Sequence, residues 1–309
     1  RRAAAALNKR YLPQHWDPAL SAMLSHHYAK AGERVLELKQ YLRELIFDIT
    51  LNHDLFPMLS DRLFLSCSIP FSSREETDKK VEHAISILDE LRGSEALTER
   101  EYAQLEASCF ELAGGYRISW GEYTGAKLYT DEAIHISKQY GFTETHIHCL
   151  KHYAYMYLQI EEADKLIKVS RELLRLAKEA PAPHYFATAV RFIGMGYMMR
   201  GNYAAAEKIF LHSVKLFEQM QLTGRRYTLG MLVAKCYLGE IYERTGDLER
   251  AAAQLSECTR QCEAMNLYWG RSYFHTTAAN IALDAGNMEG LFSHIDRAAA
   301  LFESCRGGR

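Results

Sequence analysis

His148 and His152 lie four residues apart in a helical stretch, with Cys149 between them and His146 close by. That spacing puts two imidazoles on one helix face, where a single metal ion would meet both. A zinc-binding catalytic helix carries Glu directly after its first His, and Cys149 stands in that place. The pair therefore reads as ordinary helix histidines, and no metal is assigned. Cys258 and Cys262 also share a helix face, but no His stands beside them to complete a ligand set, and thiols are common buried residues. Neither a Gly-x-Ser-x-Gly elbow nor a Gly-x-x-x-x-Gly-Lys-Ser/Thr phosphate loop occurs in the chain. Nothing in these residues supports catalysis or a cofactor, so the chain reads as a non-enzyme.

Composition sets the elements that must hold such side chains. The chain has 309 residues, 48% hydrophobic and 25% charged, with only 6 Pro and 19 Gly. Ala, Leu, Glu, Lys and Tyr are abundant and alternating Val/Ile/Thr runs are absent, which gives an all-α reading. A chain of this length buries roughly three quarters of its unfolded surface and needs no staples. The 7 cysteines are odd in number and include no Cys-x-x-Cys pair, which fits a reducing cytoplasm. A net charge of −2 leaves no basic footprint for nucleic acid and no polybasic signal for membranes. No apolar run approaches the roughly 18 residues that span a bilayer. The chain starts on Arg1-Arg2 without an initiator Met and reads as a piece of a longer protein.

A recurring register organises the rest. Ile193-Gly194, Tyr197, Gly201-Asn202-Tyr203, Ala206 and Phe210 take steps of 3, 7, 12 and 16 from Gly194. Leu238-Gly239, Tyr242, Gly246-Asp247-Leu248, Ala251 and Leu255 take the same steps from Gly239. The small residue lets two helices approach, the aromatic fills the groove beside it, and the later Gly ends the first helix in a left-handed cap. Weaker copies centre on Gly114, Ala154 and Ala279, so the centres are separated by 40, 40, 45 and 40 residues. Each hairpin leaves an apolar side that only another hairpin can cover, so the motif implies an array. His27-Tyr28 and Gly32 begin a further hairpin, Glu75 to Leu91 and Thr98 to Arg117 read as amphipathic helices, and a short helix is expected near residues 54–65. Pro181 and Pro183 mark the loop entering the third hairpin.

Over roughly residues 101–305 these copies resemble the tetratricopeptide family. The resemblance implies a right-handed superhelix of stacked antiparallel helical hairpins, a TPR-like α-solenoid. Residues 1–52 then form a helical junction and first hairpin, 53–100 an irregular connection plus helix, and 101–305 five hairpins. Arg1-Arg2 followed by Ala4-Ala5-Ala6-Leu7 and Tyr11, then Leu24-Ser25-His26-His27-Tyr28 and Ala31-Gly32, resembles a second pattern. It is the junction after the ATPase module in bacterial signal-transducing ATPases with numerous domains. That resemblance implies a sensor segment that gates the ATPase or output domains of its parent chain in signalling or transcription regulation.

In such an array the first helices line the concave side. Positions three before and one after each centre select Glu111 and Gly115, Lys151 and Tyr155, Arg191 and Met195, Cys236 and Glu240, and Thr276 and Asn280. Neighbouring turns add His148, Met198, Glu243 and Tyr273. Lys151 and Arg191 form a basic pair flanked by Tyr155, Met195 and Met198, suited to an anion or an acidic peptide end. A solvated charge pair beside core aromatics is the plainer reading. The family's carboxylate clamps place Asn beside the Lys, where Tyr155 stands, so a chaperone-tail receptor is not implied. The expected partner is a protein or peptide. A small-molecule inducer held by aromatic and methionine side chains and an arm that autoinhibits an ATPase or output domain are the alternatives. Apolar end faces also allow a homodimer.

Overall fold

The computed structural model describes residues 18–52, 61, 72–180, 182–224, 226–265, 267 and 270–307, with side chains as far as 301. The expected junction residues from Arg1 to Tyr11, the short helix near 54–65 apart from Asp61, Pro181, and the thiols of Cys67 and Cys305 lie outside them.

The described residues form thirteen helices and no strand. In chain order these are α1 (Pro18–Lys30), α2 (Arg34–Asn52), α3 (Arg74–Glu90), α4 (Glu99–Ser119), α5 (Tyr123–Tyr140), α6 (Thr143–Gln159) and α7 (Ala163–Ala177). They continue as α8 (Pro183–Met199), α9 (Tyr203–Leu222), α10 (Thr228–Arg244), α11 (Leu248–Ala264), α12 (Arg271–Asp284) and α13 (Met288–Gly307). None is long and apolar enough to cross a membrane.

Local chemistry sets the boundaries. Ser73 and Thr98 cap α3 and α4 in full capping boxes, with Glu76 and Glu101 returning the bond to the cap amides. Asn202 and Asp247 accept from the amides of Ala205 and Arg250 and start α9 and α11. Seven residues after each of the five centres the chain turns with positive φ: Gly121 (76°), Glu161 (58°), Gly201 (71°), Gly246 (85°) and Gly286 (68°). Glu161 is the exception in side chain, and holding an L-residue there costs roughly 1–2 kcal/mol. The centres themselves must be small. A Cβ at Gly194 would meet the Phe210 ring at 3.0 Å, and one at Gly239 would meet Leu255 Cδ2 at 2.1 Å.

The chain divides into two compact units. The first comprises the described residues 18–52 and 72–152. Here α1 pairs with α2 and α4 with α5, and α3 packs on both α2 and α4. Leu38, Leu42 and Leu45 of α2, Val81 and Ile87 of α3, and Leu105 and Tyr116 of α4 share one core. The second unit holds Asp61 and the residues from Tyr153 onward, so the boundary falls inside α6. In it each helix from α7 to α13 packs on the next. Asp61 is buried and belongs to the start of α10: its carboxylate accepts from the Thr228 amide at 2.8 Å and hydroxyl at 2.6 Å, and its own amide donates to Arg226 O at 2.9 Å. The last helix turns Met288, Phe292 and Ile295 outward, at 49%, 59% and 45% exposure.

Candidate functional site

In the first unit, Glu111 of α4 lies buried against His148 and His152 of α6. Its Oε1 is 2.7 Å from His152 Nε2 and 3.7 Å from His148 Nδ1. Burial pushes the carboxyl up, but the hydrogen bonds and charges of the two histidines outweigh it and hold Glu111 well below the usual carboxylate range. Gly115, one turn on, makes room for this arrangement, because a Cβ there would sit 2.3 Å from the His152 ring. The histidines singled out in the sequence thus serve an internal ion pair. Cys149 between them is buried, and burial raises its thiol. Among the described residues no group of His, Cys, Asp or Glu has the geometry to hold a metal ion. Lys151 is half-buried on the same helix.

In the second unit the sequence-selected residues separate. Arg191 is 0% exposed and its Nη1 donates to Gly230 O of α10 at 3.3 Å. Met195 is likewise fully buried. The expectation that both line an open groove is corrected: on α8 this side meets α10 of the following hairpin, so the guanidinium is enclosed rather than offered to an anion. Tyr155 is half-buried and stands edge-on to the Phe192 ring at 4.9 Å, and Met198 is half-buried. Cys236 is 0% exposed. The Cys258 and Cys262 thiols are also buried, and burial pushes both up to about 12, as packing residues require.

The other selected residues converge. Glu240 of α10 and Tyr273 and Asn280 of α12 line one open cavity of about 410 Å³. Glu243 and Arg244 complete its α10 wall, and Thr276, Thr277, Leu283 and Asp284 its α12 wall. Tyr273 Oη donates to Glu240 Oε1 at 2.5 Å and fixes that carboxylate from the floor. Burial raises the Glu240 carboxyl, with the Tyr273 bond and the Arg244 charge opposing. Burial, then repulsion from Asp284, raises Glu243. Thr276 and Asn280 are exposed at the rim, and Leu283 is 53% exposed. Arg244, Thr277, Leu283 and Asp284 were not selected from sequence. Carrying the register one further turn past Gly239 and Ala279 finds all but Thr277, whose threonine carries no distinguishing signal.

No protein-family model matches the chain, and no curated protein does. Solved structures do. The apo form of RapI is similar with a TM-score of 0.60 at 11% identity, over 96% of this chain and 76% of that one. A Rap protein complexed with competence and sporulation factor is similar with a TM-score of 0.51 at 13% identity, over 100% of both chains. A signal transduction ATPase with numerous domains from Pyrococcus horikoshii, bearing a tetratricopeptide repeat sensor, has a TM-score of 0.57 at 13% identity. That match covers 94% of this chain but 43% of the archaeal one. The fold is therefore that of tetratricopeptide-like helical repeat proteins.

Proposed function

We propose that this chain is a non-catalytic interaction segment that binds a protein or peptide, with the cavity between α10 and α12 as an anchoring point. The observation that carries the reading is the convergence of Glu240, Tyr273 and Asn280, chosen from the repeat register, on one open cavity of about 410 Å³. That volume lies in the range of ligand sites and suits part of a peptide rather than a folded domain. The five-hairpin stretch 101–305 is the interaction array in this reading, and Tyr155 and Met198 add to the contact surface of the second unit. A Rap protein of similar fold has been solved with competence and sporulation factor bound, and the archaeal ATPase carries its repeats as a sensor. The first supports binding of a partner by such a fold and the second a sensor segment of a multidomain signalling protein; in this reading the parent protein is cytoplasmic and the segment gates its ATPase or output module.

The test is selection of peptides on the immobilised chain from a random displayed library, followed by binding to an Asn280→Arg/Thr276→Arg variant. Both positions are exposed at the rim, so the variant keeps the fold, which circular dichroism checks. The expected result is enriched peptides that bind the original chain and lose most of their affinity for the variant. Peptides that bind both equally sink the assignment to this cavity, and a library that yields none sinks the peptide-binding reading.

A further inference from the structure

Exposed cations in the second unit often have a carboxylate beside them. Lys165 meets Glu162 at 3.0 Å, Arg260 meets Glu257 at 2.6 Å, and Arg200 meets Asp164. One row does not. Lys168, Arg171 and Arg175 of α7 and Lys178, its C-cap residue, are all exposed and follow at steps of 3, 4 and 3 residues. That rhythm puts them on one helix face over about 15 Å. Among the described residues none of the four comes within ion-pair distance of a carboxylate, and Arg171 donates to the Tyr197 hydroxyl at 3.4 Å. Glu172 and Glu179 each follow a cation of the row directly, which turns them roughly 100° around the helix from it. Cations in a last turn complement the helix dipole, which accounts for Arg175 and Lys178, but Lys168 and Arg171 lie farther from that end than the dipole reaches. On α9, the second helix of the next hairpin, Lys208 and Lys215 are likewise exposed and without a carboxylate partner among the described residues. A local excess of positive charge thus stands on a chain whose net charge is −2.

The row ends at a cavity. Lys178 lines an open, largely apolar hollow of about 460 Å³ between the C-terminal ends of α7 and α9 and the start of α8. Ala177, Pro183, Phe186, Leu216 and Met220 supply its apolar walls, and Gln219 stands among them. Phe186 and Leu216 are only half-buried, so the hollow presents apolar surface that an entering side chain would take from water. Its volume has room for one large aliphatic or aromatic side chain.

Shape and charge together select the class of partner. A membrane-binding face needs apolar side chains that project outward into lipid, whereas the apolar component here is a recess that receives a side chain. About five residues of extended peptide cover the length of the row, and their carboxylates would form charge-assisted bonds along it. We infer that this face of α7, with the cavity at its end, is a docking surface for an acidic peptide segment of a protein partner, anchored by one large apolar side chain. The surface shares no residue with the α10/α12 cavity and goes beyond the anchoring point proposed above. An acidic peptide end was the partner expected at Lys151 and Arg191; the exposed cations that line up to meet one lie instead on α7.

The probe is a blocked, fluorescein-labelled peptide, Asp-Glu-Glu-Asp-Gly-Phe-Gly-Asp-Glu-Glu-Asp, whose symmetry lets either chain direction lay acids on the row with Phe in the cavity. Fluorescence anisotropy reads its affinity for the whole chain. The expected result is saturable binding that weakens about tenfold when Phe is replaced by Ser, the worth of one buried aromatic side chain. Lys168→Glu/Arg175→Glu should weaken it about tenfold as well. Both positions are exposed, so this variant keeps its fold, which circular dichroism checks. The Asn280→Arg/Thr276→Arg variant should bind the peptide as the original chain does. Absence of saturable binding overturns the inference, as does equal affinity for the Phe and Ser peptides or for the original and charge-reversed chains. Binding lost in Asn280→Arg/Thr276→Arg moves the peptide to the α10/α12 cavity and overturns it too. Phosphatidylglycerol vesicles that sediment the original chain but not the charge-reversed one, with no peptide bound, overturn it in favour of a membrane surface.

Discussion

Glu111 in the first unit and Glu240 in the second are both carboxylates on the first helix of a hairpin, and the following hairpin treats them in opposite ways. The helix facing Glu111 brings His148 and His152, six and two residues before its centre Ala154. The helix facing Glu240 brings Tyr273 and Thr277, six and two before its centre Ala279. Two imidazoles close the first site into a buried ion pair. A phenol and a threonine leave the second hollow and acidic. One scaffold thus yields either an internal fastening or a receptive cavity, according to two side chains on the neighbouring repeat.

The comparison breaks most directly at Glu111. Glu111→Leu takes the shared acceptor from buried His152 and half-buried His148 and should cost about 3 kcal/mol in urea unfolding, since removing one member of a buried pair strands the other. A loss below about 1 kcal/mol would show the pair to be incidental. Gly115→Ala should cost about 2 kcal/mol by forcing the His152 ring aside, as overpacking does. Its crystal structure should show the Glu111–His152 bond lengthened. Tyr273→Phe should cost about 1 kcal/mol, the worth of one hydrogen bond, because Glu240 can still reach solvent through the cavity.

The smallest change should come from Glu240→Gln/Glu243→Gln, and its pH dependence sharpens the contrast. Glu111 is depressed in the fold, so its contribution is present above the usual carboxylate range and lost as pH falls through that range toward the depressed value. Glu240 and Glu243 are raised, so their contribution is fully present below the usual range and lost as pH rises through the raised values. At about pH 7 the double variant should equal or slightly exceed the original in stability, and the difference should vanish near pH 4. The deficit of Glu111→Leu should shrink over the same acidification. Urea melts at the two pH values check both, and parallel curves for the two variants would remove the distinction between the sites.

The repeat register reaches the fold because it records backbone needs. A small residue at Gly194 or Gly239 and a left-handed turn seven residues later are requirements of one hairpin, written within one hairpin. Glu161 shows the limit even there, since the turn keeps its geometry without its glycine. The sites are less legible because they depend on pairs of helices some 40 residues apart in sequence. Position three before a centre yields buried Glu111, half-buried Lys151, enclosed Arg191 and exposed Thr276. Register alone therefore places a side chain on a helix face but does not say whether the next repeat covers it. Glu240, Tyr273 and Asn280 come together because α10 and α12 leave an open cavity between them. Arg191 was misplaced because α10 does cover it.

The bond from Asp61 to Thr228 alters how the molecule can be divided. Repeat arrays are ordinarily modular, each unit touching only its neighbours, so that repeats can be trimmed from an end one at a time. Here the start of α10 is completed by a residue 167 positions earlier in the chain. Closing so long a loop adds little entropic cost beyond that of a short one, because the cost grows only with the logarithm of length. Its effect on dissection is larger. A cut between His152 and Tyr153 separates the second unit from its own Asp61, so a fragment beginning at Tyr153 starts α10 with an uncapped end. Any study of the cavity on an isolated piece of this protein must carry the chain from before Asp61 or supply that carboxylate by other means.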